Sequence, residues 1–408
     1  MSDRTYVNNF ILGTFGFVFL SFTSVSPALA VTNFQKWITD FYPQAAQQGI
    51  SRTVYEQAFS GITDPDERVL EKAQYQPEFT TEIWDYLDAR VTSGAVAMGQ
   101  SQQEQRGSIL AAIEKQYGVR GSVLLAIWSM ETSYGAALLR TDRLHYVPRA
   151  LATLGYGDKK RAKFARSQLI AALQILQAGD VSGQALTGSW AGAMGHTQFI
   201  PTSYLAYGVD MDGDGRRDIW NSIPDALATA ANLLNKNKWQ TGKTWGYEVL
   251  APATISEKEI GNTRTLGEWQ RLGFSRPLNK PFPRPGDRAV LKMPAGVQGP
   301  AFLVLKNFFV LKRYNNSDFY ALAVGLLADQ IAGYNGMVQK WPRPAGSLSM
   351  AEKYELQTRL KKKGYYTGTV DGSIGSGTRG AIRAFQHYSG MALTGKASQE
   401  LLKALRGE

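Results

Sequence analysis

The stretch LLAIWSMETSYG, residues 124–135, sets one charged side chain into an apolar run. Residues four apart share a helix face, so Val123, Ile127 and Glu131 line up. A helix of this composition belongs in a core, and it draws Glu131 in with it. An ionised carboxylate is costly to bury without a partner. Glu131 is therefore expected either to carry a raised pKa and a chemical task, or to sit at the helix end, capped by Gly135 and reaching water.

A chain of 408 residues allows two to three domains of roughly 150 residues each. Its 44% hydrophobic and 11% aromatic content is enough for packed cores. The first 30 residues stand apart. Arg4 gives a thin basic start, Phe10 to Phe22 is apolar, and Ala28-Leu29-Ala30 offers small residues for cleavage. This is the pattern of a secretory signal cut after Ala30. The apolar run is short of the ~20 residues that span a bilayer; a retained anchor is the alternative reading. No later segment reads as long and apolar enough to cross a membrane.

There is no cysteine, which rules out a disulfide, a thioether-linked lipid, a thiol nucleophile and a thiolate zinc site. The three histidines, His145, His196 and His387, form no pair at helical ligand spacing, and no HExxH is present; catalytic zinc is not expected. A net charge of +11 suits a polyanionic partner such as cell-wall polymer, lipid headgroups or nucleic acid. Nucleic acid fits least well, because export removes the chain from the chromosome and no recognised binding motif occurs. Solubility alone would also account for the charge.

Residues 31–180 read as mostly helical. Between about 262 and 312 the pattern turns β-rich, in RAVLKM and AFLVLKNFFVLKRY, which predicts a small sheet inserted in a helical domain. DFYALAVGLLADQIAG closes that domain as a helix. WPRPAGS, residues 341–347, has linker composition. Beyond it, Ser349 and Glu352 make a capping-box pattern, Gly364 stops the first helix, Thr378 is read as the cap of a second, and Leu401, Leu402 and Leu405 mark a third. About 60 residues support one small core, which suits a binding module.

Two loops carry chemical signals. In VDMDGDGRRDIWN, Asp210, Asp212, Asp214, Gly215, Asp218 and Asn221 occupy positions 1, 3, 5, 6, 9 and 12 of a calcium-loop pattern. Asn221 replaces the bidentate Glu of position 12, and Asp225 is the expected substitute carboxylate. With Arg216, the expected cation set is Asp210, Asp212, Asp214, Arg216, Asp218 and Asp225, holding a structural Ca2+; a metal-free acidic turn, partly neutralised by Arg216 and Arg217, is the alternative. SWAGAMGHTQFIPTSY, residues 189–204, combines small residues that admit a ligand to the backbone with Ser189, Gln198 and Tyr204, which can hydrogen-bond hydroxyls and amides. A packed turn would have the same composition.

AIWSMETSYG, SWAGAMGHTQFIPTSY, the acidic loop, KTWGYEV and RYNNSDFYALAVGLLAD together resemble the B-type lytic murein transglycosylases. The tail, LQTRLKKKGYYTGTVDGSIGSGTRGAIRAFQ, resembles the peptidoglycan-binding module often attached to them. The resemblance spans roughly residues 34–408. It implies a mainly α fold: a lysozyme-like helical catalytic domain (31–340) with a small β-subdomain, and a three-helix module (348–408). It further implies cleavage of the β-1,4 bond between N-acetylmuramic acid and N-acetylglucosamine, with a 1,6-anhydro product and Glu131 as the single catalytic acid. Ser189 and Gln198 would line the cleavage subsite, Tyr86, Tyr314 and Tyr320 would flank the glycan, and Lys160 and Arg161 would meet the acidic stem peptide. Core packing, for the tyrosines, and a solvated helix face, for the basic pair, are the competing readings. The partners implied are peptidoglycan strands and proteins of cell-wall synthesis or turnover, in the periplasm. One departure matters: the family usually has Asn-Tyr where this chain has Asn232-Leu233, so a hydroxyl near the catalytic carboxyl is missing unless Tyr204 or Tyr247 supplies it. An ordinary muramidase and a non-catalytic wall-binding scaffold are the rival functions.

Overall fold

The computed structural model describes residues 32–74, 82–372 and 374–408. The signal sequence read at 1–30 lies outside them. At the centre runs the helix Gly121–Thr132, in which every residue except Glu131 is buried. A helix apolar on all sides needs neighbours all round. Here they are the helices Ser93–Gln105, Gly107–Tyr117, Ile223–Lys236 and Asp318–Ile331. Leu124, Leu125 and Ile127 are fully buried; truncating such a leucine to alanine typically costs about 2–5 kcal/mol.

The helix ends earlier than expected. Its C-cap is Ser133, in the left-handed conformation at φ 50°, and Tyr134 and Gly135 follow at φ 58° and 91°. Gly135 is therefore not the cap. Its role is clearance: a Cβ there would stand 2.7 Å from His196 Cε1. Contrary to expectation, the later stretch Gly121–Leu139 is, by length and composition alone, long and apolar enough to cross a membrane. It reaches that length only by joining the core helix to the following 3-10 turn Ala136–Leu139.

Six short strands occur among the described residues. β1 (His145–Tyr146) pairs with β2 (Thr187–Gly188). β3 (Gly246–Val249), β4 (Thr263–Thr265), β5 (Arg288–Lys292) and β6 (Ala301–Val304) form an antiparallel sheet in the order β3-β6-β5-β4. The β-rich stretch thus differs from the expected 262–312 at both ends. β3 lies before it, and Lys306–Tyr314 is helical. The run KNFFVLKRY looks β-forming residue by residue, but its buried residues Asn307, Phe308, Val310 and Leu311 fall at helical spacing. The sheet has its own core of Val249, Leu266, Trp269, Phe274, Leu291 and Leu303.

The tail holds the helices Met350–Lys362, Ser376–Tyr388 and Gln399–Arg406 around Leu356, Leu360, Ile382, Phe385, Leu401, Leu402 and Leu405. Ser349 and Glu352 form the capping box. Thr378, by contrast, lies inside its helix, whose N-cap is Gly375; the buried Thr378 Oγ1 meets Gln357 Nε2 at 3.1 Å. Lys353 pairs with Asp85 at 2.6 Å and Arg343 with Asp88 at 2.8 Å, both on the helix Ile83–Arg90.

Candidate active site

Glu131 sits in the last turn of the central helix, where the helix dipole disfavours negative charge. Its Oε1 accepts a hydrogen bond from the Tyr320 hydroxyl at 2.7 Å. Burial pushes its pKa from 4.5 up to about 7, while the Tyr320 hydrogen bond and the Arg90 charge pull the other way. Tyr320 lies in the first turn of the helix Asp318–Ile331 and is 3% exposed. Ser317 caps that helix by accepting from the Tyr320 N–H. Tyr314 stacks on Tyr320 with ring centres 6.2 Å apart, and its hydroxyl donates to Thr197 O at 2.5 Å. Burial raises the pKa of both phenols well above 10, and the Glu131 carboxylate adds to it, so both stay protonated donors. Tyr86 is half-buried beside Phe319, with Arg90 6.0 Å from its ring centre. Arg90 Nη1 donates to Met130 O at 3.4 Å.

The three tyrosines expected around the glycan therefore gather about Glu131, and Tyr320 binds it directly. Neither tyrosine proposed to compensate for Leu233 does so. Tyr204 is fully buried with its hydroxyl on Arg217 O, Tyr247 lies on β3 beside Arg276, and Leu233 is in the core. Burial, expected among neighbours such as Ile127, Trp128 and Met130, is the largest cause of the raised Glu131 pKa. Trp128 itself donates to His196 Nδ1 at 3.1 Å.

The 189–204 segment is tied to this site through its backbone. Thr132 Oγ1 donates to His196 O at 2.7 Å, and Thr197 O receives Tyr314. Ser189 closes a tight turn, its N–H on Ala193 O and its Oγ accepting from the Ala193 N–H at 3.0 Å. Gln198 adopts φ 52° and turns its amide back onto Gly195 O at 2.9 Å. Gly195 could carry no side chain, because a Cβ would stand 2.4 Å from Ile219 O. Arg161 pairs with Asp158 and lies 5.6 Å from the ring centre of Trp190, next to Ser189; Lys160 is exposed beside it.

In the acidic loop, one oxygen each of Asp210, Asp212 and Asp214 lies within 4.8 Å of the others. Three exposed carboxylates converging in this way suit a hard cation. The remainder of the expected set differs. Asp225 is fully buried, with Oδ1 accepting from the Met211 and Asp212 N–H groups and Oδ2 from Asp218 N–H. Asp218 accepts from Trp220 N–H, Asn221 N–H and Asn221 Nδ2. The Arg216 side chain pairs with Asp214 at 3.0 Å. Asp218, Asp225 and Arg216 thus order the loop around the converging trio through the hydrogen bonds and ion pair given above. Two residues of this site escaped sequence reasoning: Arg90, whose charge acts on Glu131, and Thr197, which holds Tyr314. The i, i+4 spacing of Tyr86 and Arg90 was an available signal for the first; a backbone carbonyl such as that of Thr197 leaves none.

Comparison with known proteins places this geometry. SltB3 from Pseudomonas aeruginosa, solved in complex with NAG-anhNAM-pentapeptide, is 44% identical, with a TM-score of 0.73 over 91% of this chain and 99% of that one. The Escherichia coli lytic transglycosylase Slt35, solved in complex with calcium, is 25% identical, with a TM-score of 0.60 over 74% of this chain and 93% of that one. Membrane-bound lytic murein transglycosylase B of Escherichia coli is 29% identical over 216 residues, 53% of this chain and 58% of that protein, so the match spans under two thirds of this curated relative. A peptidoglycan binding domain profile matches residues 350–405. The transglycosylase SLT domain profile matches residues 33–329, and the chain belongs to that family.

Proposed function

We propose that the protein is a lytic murein transglycosylase, cleaving the β-1,4 bond between N-acetylmuramic acid and N-acetylglucosamine of peptidoglycan and leaving 1,6-anhydro ends. The observation that carries this reading is a single half-buried carboxyl, raised to about 7 and held by a tyrosine hydroxyl, with no second carboxylate among the groups acting on it. Glycosidases with two carboxylates divide the acid and nucleophile roles between them. Here one group takes both proton transfers in turn. Protonated Glu131 gives its proton to the leaving oxygen as the C1–O bond breaks. The substrate's acetamido oxygen stabilises C1, as in substrate-assisted exceptions to the two-carboxylate rule. The Glu131 carboxylate, steadied by Tyr320, then takes the C6 hydroxyl proton while O6 closes onto C1. No water is consumed.

Ser189, Gln198, Tyr86 and Tyr314 line the glycan path in this account, and Lys160 and Arg161 meet the stem peptide at the Trp190 side. Tyr320 acts on Glu131, since it has almost no free face for a sugar. The bound anhydro-sugar peptide of SltB3 supports the product assignment. Export to the periplasm after signal cleavage fits the substrate, with residues 31–340 as the catalytic domain, 341–347 as linker and 348–408 binding the wall. Calcium at Asp210, Asp212 and Asp214 would brace the loop, as a related structure holds calcium; it has no step in the chemistry.

The test is the mass of the products. Wild type and Glu131→Gln are incubated with purified sacculi and the soluble fragments weighed. Fragments lighter by about one water than muramidase products support the proposal, because O6 displaces water as nucleophile. Hydrated ends would make the protein a muramidase, absence of product a scaffold, and undiminished product from Glu131→Gln would remove Glu131 from the chemistry.

A further inference from the structure

A cavity of about 370 Å³ lies between β3, the loop at 276–284 and the chain after the helix Asp318–Ile331. It is remote from Glu131. Arg120 on its wall is the N-cap of the central helix, and Glu131 lies eleven residues on, ~16 Å at 1.5 Å per residue. Asp329, also on its wall, is likewise in the last turn of the helix that carries Tyr320 in its first.

The cavity is lined by four cationic groups, Arg120, Arg276, Lys280 and Arg284. Among the described residues none of the four forms a close ion pair with a carboxylate. The Arg120 charge acts on Asp329, which leaves Arg276, Lys280 and Arg284 without an acidic neighbour of that kind. The two arginines of the loop are nonetheless held in place. Arg276 lies 4.6 Å from the centre of the Tyr247 ring and donates one Nη1 bond to Pro281 O; Arg284 donates one Nη2 bond to Gly242 O. Guanidinium groups fixed in this way keep donors free for a carboxylate fork. The two acids on the wall are already engaged. Glu248 accepts from Val338 N–H, Gln339 N–H and Gln339 Nε2, and Asp329 accepts from Trp245 Nε1 at 3.0 Å. Around the mouth stand three exposed apolar side chains, Leu278, Tyr334 and Val338. Cations within and apolar groups at the rim match a ligand with carboxylates on a short, partly apolar backbone.

We infer that this cavity is a second binding site for a carboxylate-bearing peptide of the kind that branches from peptidoglycan, separate from the cleavage site. The inference rests on the reading of peptidoglycan as substrate. Binding here would hold a neighbouring peptide stem while Glu131 works on a strand, and would do so on the stretch of chain that leads to the linker.

The probe is a free stem tetrapeptide without sugar, titrated calorimetrically into the full-length protein. The expected results are measurable binding to wild type and affinity at least about tenfold weaker for Arg276→Gln/Arg284→Gln and for a peptide with its carboxylates amidated. An Arg276→Lys/Arg284→Lys variant, which keeps the charge but loses the fork, is expected to bind more weakly than wild type and more tightly than the Gln variant, and guards against mere loss of folding. No binding to wild type, equal binding of the amidated peptide, an unchanged affinity in the Gln variant, or inorganic phosphate binding as tightly as the peptide would each overturn the assignment. Wild-type cleavage of glycan strands stripped of their peptides, measured in parallel, tests the enzymatic reading independently of this site.

Discussion

Glu131 and Asp225 are both carboxyl groups set into the helical core, and they are held in opposite ways. Asp225 has no exposed surface and accepts three backbone N–H bonds from Met211, Asp212 and Asp218. Glu131 keeps part of its surface exposed and accepts one hydroxyl, from Tyr320. Burial raises both pKa values; for Asp225 the backbone bonds oppose it. Donors fixed in a backbone hold a loop in shape, and a group with no exposed surface cannot meet a glycan. A carboxyl with one partner, an open side and a pKa of about 7 can lose and regain a proton at neutral pH. Much the same chemical group serves as a clamp in one place and as an acid and base in the other.

Exchanging the carboxyl for its amide should break this contrast most visibly at Glu131. Glu131→Gln is expected to slow release of soluble fragments from sacculi by on the order of 10³-fold or more, since one group serves two proton transfers. Stability should move the other way. The folded state holds this proton more tightly than the unfolded chain, so wild type loses stability as pH rises from about 4.5 to about 7 and then levels off. The variant should therefore be more stable than wild type above pH 7, by roughly 2–3 kcal/mol, and equal to it near pH 4. Denaturant melts at the two pH values check this.

At Asp225 the balance reverses. Asp225→Ala leaves three buried N–H groups without an acceptor and should cost about 3 kcal/mol of stability. Cleavage by the protein that remains folded should fall by less than about tenfold. A denaturant midpoint beside a rate at low temperature separates the two effects. Tyr320→Phe sharpens the comparison from the other side. Losing the hydroxyl that steadies the carboxylate should lower the cleavage rate about 10-fold and move the alkaline limb of the kcat/KM profile to higher pH, because that hydrogen bond lowers the Glu131 pKa. The smallest effect belongs to the acidic loop. Calcium should raise Tm by about 2–4 °C over a chelated sample, as expected for roughly 1 kcal/mol in a domain of this size. Asp212→Asn should remove most of that rise.

Much of this contrast was legible in the chain. Val123, Ile127 and Glu131 announced a carboxyl carried inward, and the alternating aspartates announced an ordered loop. Both are local patterns, written by helical periodicity or by a turn that needs oxygen at every second residue. What escaped was long-range. Tyr320 is 189 residues from Glu131 in sequence, and no spacing rule connects them; tyrosines nearer in the chain, Tyr204 and Tyr247, were the natural and mistaken substitutes. The sequence offered Asp225 as a carboxylate just past a calcium loop; only the fold shows the three N–H groups aimed at it. The helix at 306–314 was missed because Phe308, Phe309 and Val310 favour strands individually, and packing overrode that preference.

The central claim is that Glu131 carries its proton near neutral pH because of where the chain buries it. The direct measurement is a carbon-13 NMR titration of side-chain-labelled glutamate in wild type, with Glu131→Gln identifying the resonance. The account predicts a midpoint near 7 for Glu131, moving upward in Tyr320→Phe. A midpoint at the ordinary 4.5, unmoved by loss of the tyrosine hydroxyl, would contradict it.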